Sequence, residues 1–276
     1  MTMTVKRNGW SPSPETIRIL ERAMEHVKSV PYKVSLRWVF YRLLQEGIYK
    51  DKQDYRTKFS FIFSNARHNN ICGWHPDTID DDTRCIHWRG VGVYTEEDAI
   101  DQIECNFDKL QDQKNIVMLL YEARAMTKQF AYYTKHIPLV PMGGASSIPL
   151  RWETALAVTR LSKRYDKPIV LLYFGDCDKA GEIIRETAKI DITRWCSIPF
   201  TWEFCGLDKE QVQKYNIPEN IEKPGTYQWE ALTDQQAKEI ITDWVSKYHD
   251  PSLCESYEKQ DEETLQRWKK RLKDDA

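Results

Sequence analysis

The sequence predicts an α/β protein, with a helical unit in front and a parallel sheet behind. Two rhythms predict it. Up to His68 the apolar residues recur at helical spacing in three successive segments. Beyond Lys114 short apolar runs alternate with helical stretches, the pattern of strands joined by crossover helices. At 276 residues the chain has length for two such units. The expected division is 1–94 and 95–276.

The first helix starts at Ser13-Pro14-Glu15 and runs to about Ser29, with Ile17, Leu20, Ala23, Met24 and Val27 on one side, and Pro31 ends it. A second begins near Ser35, carries Leu36, Val39, Phe40, Leu43 and Leu44, and stops at Gly47. A third spans about Asp51 to His68, with Tyr55, Phe59, Ile62, Phe63 and Ala66 in register. Three short helices before an irregular stretch (69–89) suggest a helix-turn-helix or winged-helix unit. Thr95-Glu96-Glu97-Asp98 then opens a linking helix lined by Ala99, Ile100, Ile103, Phe107 and Leu110. Strands are expected at 115–121, 137–141, 169–174 and 197–205, with helices at 126–135, 150–164 and 180–189 between them. Further helices finish the chain.

Charge divides along the same line. Residues 1–76 hold 13 Lys/Arg against 6 Asp/Glu, while the whole chain carries −2. A basic front suits contact with phosphates and an acidic back suits cation binding, although a solvated face gives the same count. No apolar run reaches the roughly 18 residues of a membrane span. Met1 to Arg7 lacks the apolar stretch of a secretory signal, so a cytoplasmic protein is expected. Seven cysteines without a Cys-x-x-Cys pair then read as free or buried thiols. Cys72, His75, Cys85 and His87 fit no common zinc spacing and read as packing residues.

Three acids stand at the ends of the apolar runs. Glu122 follows NIVMLLY, and Asp176 and Asp178 follow IVLLYFG. Parallel strands deliver their last residues to one edge, where ligands collect. Were the third strand to continue, Asp176 and Asp178 would project from one face at about 7 Å. Carboxylates so placed can hold magnesium, which takes oxygen ligands and keeps several waters. An Asp-x-Asp can also simply cap a helix.

Leu120-Tyr121-Glu122-Ala123-Arg124, the Gly143-Gly144 turn and Gly175-Asp176-Cys177-Asp178-Lys179-Ala180-Gly181 together resemble the Toprim domain, a Rossmann-like parallel sheet. That domain occurs in topoisomerases, primases of the DnaG type and the nucleases named for overcoming lysogenization defect. Arg37-Trp38-Val39-Phe40-Tyr41 is similar to the Arg-x-x-(Tyr/Phe)-Tyr helix of the topoisomerase VI A subunit and its meiotic double-strand-break relative. Gln228-Trp229-Glu230-Ala231-Leu232 and the Asp80–Arg84 turn resemble segments of phage and prophage members. The matches span roughly 30–240. Ala123 stands where many Toprim proteins have lysine, and Lys179 where proline is frequent.

The resemblance implies a winged-helix-like DNA-binding unit over 1–94 and a Toprim domain over 95–276. It implies Mg²⁺, with Mn²⁺ as an alternative, held by Glu122, Asp176 and Asp178. Tyr41 would attack DNA to form a tyrosyl ester, with Arg37 gripping a phosphate. Arg42, Lys58, Arg67, Arg124 and Lys179 are candidate DNA contacts. A homodimer would place each Tyr41 against its mate's acids, and strand passage would require a separate ATPase subunit. Arg37 and Tyr41, four apart, share a helix face, and a phenol with a pKa near 10 needs a base or cation to attack. Metal-dependent hydrolysis without a covalent step, and DNA binding by a degenerate Toprim domain, remain the other readings.

Overall fold

The two longest apolar runs form the centre of the sheet. The computed structural model describes residues 10–51, 53–79, 95–122, 124–143, 146–220 and 223–275. β1 (Ile116–Tyr121) and β3 (Ile169–Phe174) pair in parallel along their whole length, from Ile116 opposite Ile169 to Tyr121 opposite Phe174. β2 (Leu139–Pro141) joins the outer side of β1, and β4 (Thr201–Phe204) that of β3. The order is β2-β1-β3-β4, all parallel. Every residue of β1 and β3 is buried, as helices on both faces of a parallel sheet require.

Successive side chains leave the sheet on opposite faces. Ile116, Met118, Leu120, Ile169, Leu171 and Tyr173 enter one apolar cluster. It is closed by Ala155 and Val158 of α6 (Ile148–Tyr165) and by Ala188 and Ile192 of α7 (Lys179–Trp195). The alternate residues, among them Leu119, Leu172 and Phe174, enter a second cluster with α5 (Thr127–Tyr133) and α9 (Asp234–Val245). That cluster continues without a break into the N-terminal helices.

Those helices begin where the sequence puts caps. The Ser13 hydroxyl accepts from Thr16 N at the start of α1 (Pro14–Lys28), and Pro14 sits where its missing N–H costs nothing. Ser35 caps α2 (Leu36–Gln45) in the same way. A π-helical turn at Tyr55–Phe59 leads into α3 (Ser60–Asn69), which ends as Asn70 turns left-handed at φ 53°. Phe40, Phe59, Phe63 and Trp74 pack ring against ring between them. No strand occurs among the described residues of 10–79. A wing would fall in 80–94, which lies outside the described residues together with the Asp80–Arg84 turn, Cys85 and His87.

Two expectations change. Thr95 and Asp98 form the expected capping box on α4 (Glu96–Asp101), but the helix does not reach Leu110. Carboxylates take the backbone donors that a longer helix would use: Asp261 accepts from Phe107 N at 2.6 Å, and Asp108 from Leu110 N at 3.0 Å. Arg42, expected on the DNA side, is buried. Its guanidinium lies over the Trp38 ring and donates to the carbonyls of Glu230 and Leu232. A turn enclosed by protein needs donors for its carbonyls, and Arg42 supplies them, joining α2 to the segment ahead of α9.

The chain ends in α8 (Lys209–Lys214), α9 and α10 (Pro251–Asp275). Among the described residues no helix is long and apolar enough to cross a membrane. The six described cysteines are all free thiols.

Candidate active site

β1 and β3 release their chains at one edge of the sheet. The Glu122 N–H donates to Phe174 O at 3.0 Å, which extends the β1–β3 ladder by one rung and fixes the residue. A Cβ at Gly175 would stand 2.9 Å from the Tyr173 ring and 3.1 Å from Glu122 Oε2, so glycine there makes room for both. The Asp176 N–H points at the same oxygen, 3.4 Å away. Glu122 thus faces the acidic loop, as the motif order implies.

β3 does not continue through that loop. Cys177 pairs instead with Tyr227 in an antiparallel bridge of 2.9 and 3.1 Å. Asp178 caps α7, its Oδ1 accepting from Gly181 N at 2.6 Å. The expected same-face projection of Asp176 and Asp178 is therefore replaced by a loop and a cap, because the first N–H groups of α7 need an acceptor. Convergence survives this. The carboxylate oxygens Glu122 Oε2 and Asp178 Oδ1 each lie 3.2 Å from the point a Gly181 Cβ would occupy, and the backbone carbonyl of Asp176 lies 3.1 Å from it.

The bridge also draws residues 227–232 across the loop. Trp229 N donates to Asp176 Oδ1 at 2.8 Å, and the next residue, Glu230, is 8% exposed. Glu230 is a fourth carboxylate that sequence reasoning left without a role, although its motif stood out. Burial first, then the charges of Glu230, Glu122 and Asp178, push the Asp176 carboxyl well above the usual carboxylate range against the pull of the Trp229 amide. Burial raises Glu122 too, helped by the charges of Asp178 and Glu230 and opposed by the Asp176 amide.

Negative charge gathered in this way takes up protons or a cation. The donors are all oxygen, the chemistry of Mg²⁺ and Mn²⁺. Among the described residues no group of three or more His, Cys, Asp or Glu side chains is placed to hold a metal ion. Gly181 lets these oxygens come close to the start of α7, where a Cβ would crowd them. Gly181→Ala is expected to weaken any cation dependence several-fold while changing stability by no more than about 1–3 kcal/mol, the scale of local overpacking. Cation titration beside a urea melt checks both.

Across the segment 227–232 stands the second candidate group. Arg37 Nη2 donates to the Tyr41 hydroxyl at 3.4 Å, with the guanidinium 5.8 Å from the ring centroid. Arg37 is exposed and Tyr41 buried. Tyr41 borders a cavity of about 330 Å³ with Arg37, Phe40, Tyr55 and Arg56. It also borders a smaller one, about 120 Å³, with Pro218, Gln228 and Ala231. The Glu230 charge acts on Arg37 as well as on Asp176. One residue of one chain thus lies in electrostatic reach of both groups.

The other expected DNA contacts are scattered. Lys58 is exposed and 2.9 Å from Asp54; Arg67 is half-buried, its Nε donating to Phe63 O at 3.2 Å. Lys179 is exposed at the first position of α7. Arg124 is exposed and lies against Gly143, where φ is +63° and a Cβ would come within 2.3 Å of Arg124 Nε. Ala123 and Gly144 lie outside the described residues. Arg56, beside Arg37 on the larger cavity, is a cation the sequence did not single out.

No family model matches the chain, and searches of curated proteins and of solved structures return no match.

Proposed function

We propose that this protein cleaves DNA phosphodiester bonds with the help of Mg²⁺ or Mn²⁺, as an enzyme of the topoisomerase VI A kind with a Toprim domain. The observation that carries this reading is the convergence of Glu122, Asp176 and Asp178, joined by Glu230, at the carboxyl edge of a parallel sheet.

Glu122, Asp176 and Asp178 would hold the cation, with Glu230 behind Asp176. A bound magnesium ion supplies charge stabilisation for the phosphate and for the leaving 3′ oxygen. Arg37 grips a phosphate oxygen and keeps positive charge beside the Tyr41 hydroxyl. The Tyr41 oxygen forms a bond to phosphorus as the bond to the 3′ oxygen breaks. The phenol proton passes to solvent, and the leaving oxygen takes a proton from water. The tyrosyl-DNA ester keeps the bond energy for resealing. The N-terminal helices act as a winged-helix-like DNA-binding unit. Arg56, Lys58, Arg67, Arg124 and Lys179 contact the DNA, and a homodimer cuts both strands. Strand passage would need a separate ATPase subunit.

A second reading is hydrolysis by a cation-activated water without Tyr41. The burial of Tyr41 favours it, because the acids alone can then do the chemistry. Incubation of supercoiled plasmid with the protein and Mg²⁺ or Mn²⁺ tests both. Cleavage products that enter the gel only after protease treatment support the tyrosyl route. Products that migrate freely support hydrolysis. No cleavage with either cation leaves DNA binding alone.

A further inference from the structure

A buried hydrogen-bond network ties the N-terminal helices to the Asp176 loop, and one amide stands at its centre. Gln129 on α5 is 2% exposed. Its Nε2 donates to the Tyr32 hydroxyl at 3.0 Å and to Asp234 Oδ1 at 3.1 Å. Its Oε1 accepts from the Trp229 indole Nε1 at 3.2 Å. Asp234, at the start of α9, also accepts from the hydroxyls of Tyr32 and Tyr133. Tyr32 belongs to the connection between α1 and α2. Both ends of the Gln129 amide are thereby used, which fixes its orientation.

Trp229 carries that order to the acids. Its indole is stacked on Phe130 (5.6 Å between centroids) and edge-on to Phe174 (5.4 Å), the last residue of β3. Apolar packing holds the ring in a slot, and the bond to Gln129 chooses its position along that slot. The backbone N–H of the same residue is the group that holds Asp176 Oδ1 at 2.8 Å. A shift of the indole would therefore move the donor that aims the carboxylate.

We propose that Gln129 is a positioning residue for the acid site: it sets Trp229, and so the Asp176 carboxylate, and it makes that setting depend on the docking of Tyr32 from the N-terminal helices. This rests on the cation-binding reading of Glu122, Asp176 and Asp178. Partners that orient ligands without touching the ion usually change metal affinity by about 10–100-fold.

Mn²⁺ binding by the full chain, followed by electron paramagnetic resonance, tests it without reference to cleavage. Gln129→Leu removes the amide, and Trp229→Phe removes the indole N–H while keeping an aromatic ring and the backbone donor. Each is expected to weaken Mn²⁺ binding roughly 10-fold, and the double variant to bind no more weakly than either single one. Circular dichroism melts confirm that the variants are folded. A purely structural role would lower the melting temperature and leave Mn²⁺ affinity unchanged. Wild-type binding that is lost in Asp176→Ala but unaltered in Gln129→Leu and Trp229→Phe overturns this inference alone. Absence of Mn²⁺ binding in the wild type overturns the cation reading and this inference with it. Should Gln129→Leu not fold, Trp229→Phe and Tyr32→Phe carry the same comparison, and unchanged affinity in both overturns the proposal.

Discussion

Asp176→Asn is expected to slow cation-dependent DNA cleavage by roughly 10²–10³-fold, the scale of lost electrostatic stabilisation, and yet to melt at a higher temperature when the cation is chelated. Asparagine keeps the oxygen that accepts from Trp229 N and removes a charge enclosed by those of Glu230, Glu122 and Asp178. The sign follows from linkage. Asp176 and Glu122 have folded pKa values raised above those of the unfolded chain. Their contribution to stability is complete below the unfolded carboxyl pKa of about 4 and is lost as pH rises through the raised folded values. In EDTA the wild type should therefore lose stability between about pH 4 and neutrality more steeply than Asp176→Asn. At neutral pH Mg²⁺ should restore the loss in the wild type only. A relief of about 1–2 kcal/mol raises Tm by roughly 2–8 °C for a chain of this size. Differential scanning calorimetry with EDTA and with Mg²⁺ checks the stability half, and plasmid nicking the catalytic half. A variant that melts lower in EDTA would show that the carboxylates are not in conflict.

Tyr41→Phe is expected to remove every covalent protein–DNA adduct while leaving the fold within about 1 kcal/mol of wild type, the usual net worth of one hydroxyl hydrogen bond. Its ring packs edge-on to Phe40 at 6.0 Å, a contact phenylalanine keeps. The hydroxyl meets the Arg37 guanidinium, so what is lost is the polar contact and not the packing. End-labelled DNA run in SDS shows the adduct directly. An adduct that persists in Tyr41→Phe rules out Tyr41 as the nucleophile. Nicking that persists without any adduct selects the hydrolytic reading.

What could be read in advance depended on distance along the chain. β1, β3 and the caps of α1, α2 and α4 follow from local pattern, because six apolar residues in a row or a serine before a helical period act on their immediate neighbours. Glu122, Asp176 and Asp178 were legible because strand ends in a parallel sheet share one edge. The exact path after β3 was not. It depends on Tyr227, about fifty residues later, closing a bridge to Cys177 that ends the strand early and lets Asp178 cap α7. Glu230 arrives with that same segment, so its place among the acids has no local signal. Arg42 misled for a related reason. A lone arginine on an amphipathic helix reads as exposed until the carbonyls of Glu230 and Leu232, nearly two hundred residues away in the chain, are seen to need it. The linking helix failed because Asp261 on α10 competes for the backbone near Phe107.

The most direct measurement is a crystal of the protein soaked in Mn²⁺, with anomalous scattering used to place the ion. The account predicts one strong peak among the carboxylate oxygens of Glu122, Asp176 and Asp178, near Gly181, and its disappearance in Asp176→Asn. A saturating soak that leaves this edge of the sheet without a peak, or sets the ion elsewhere, would contradict it.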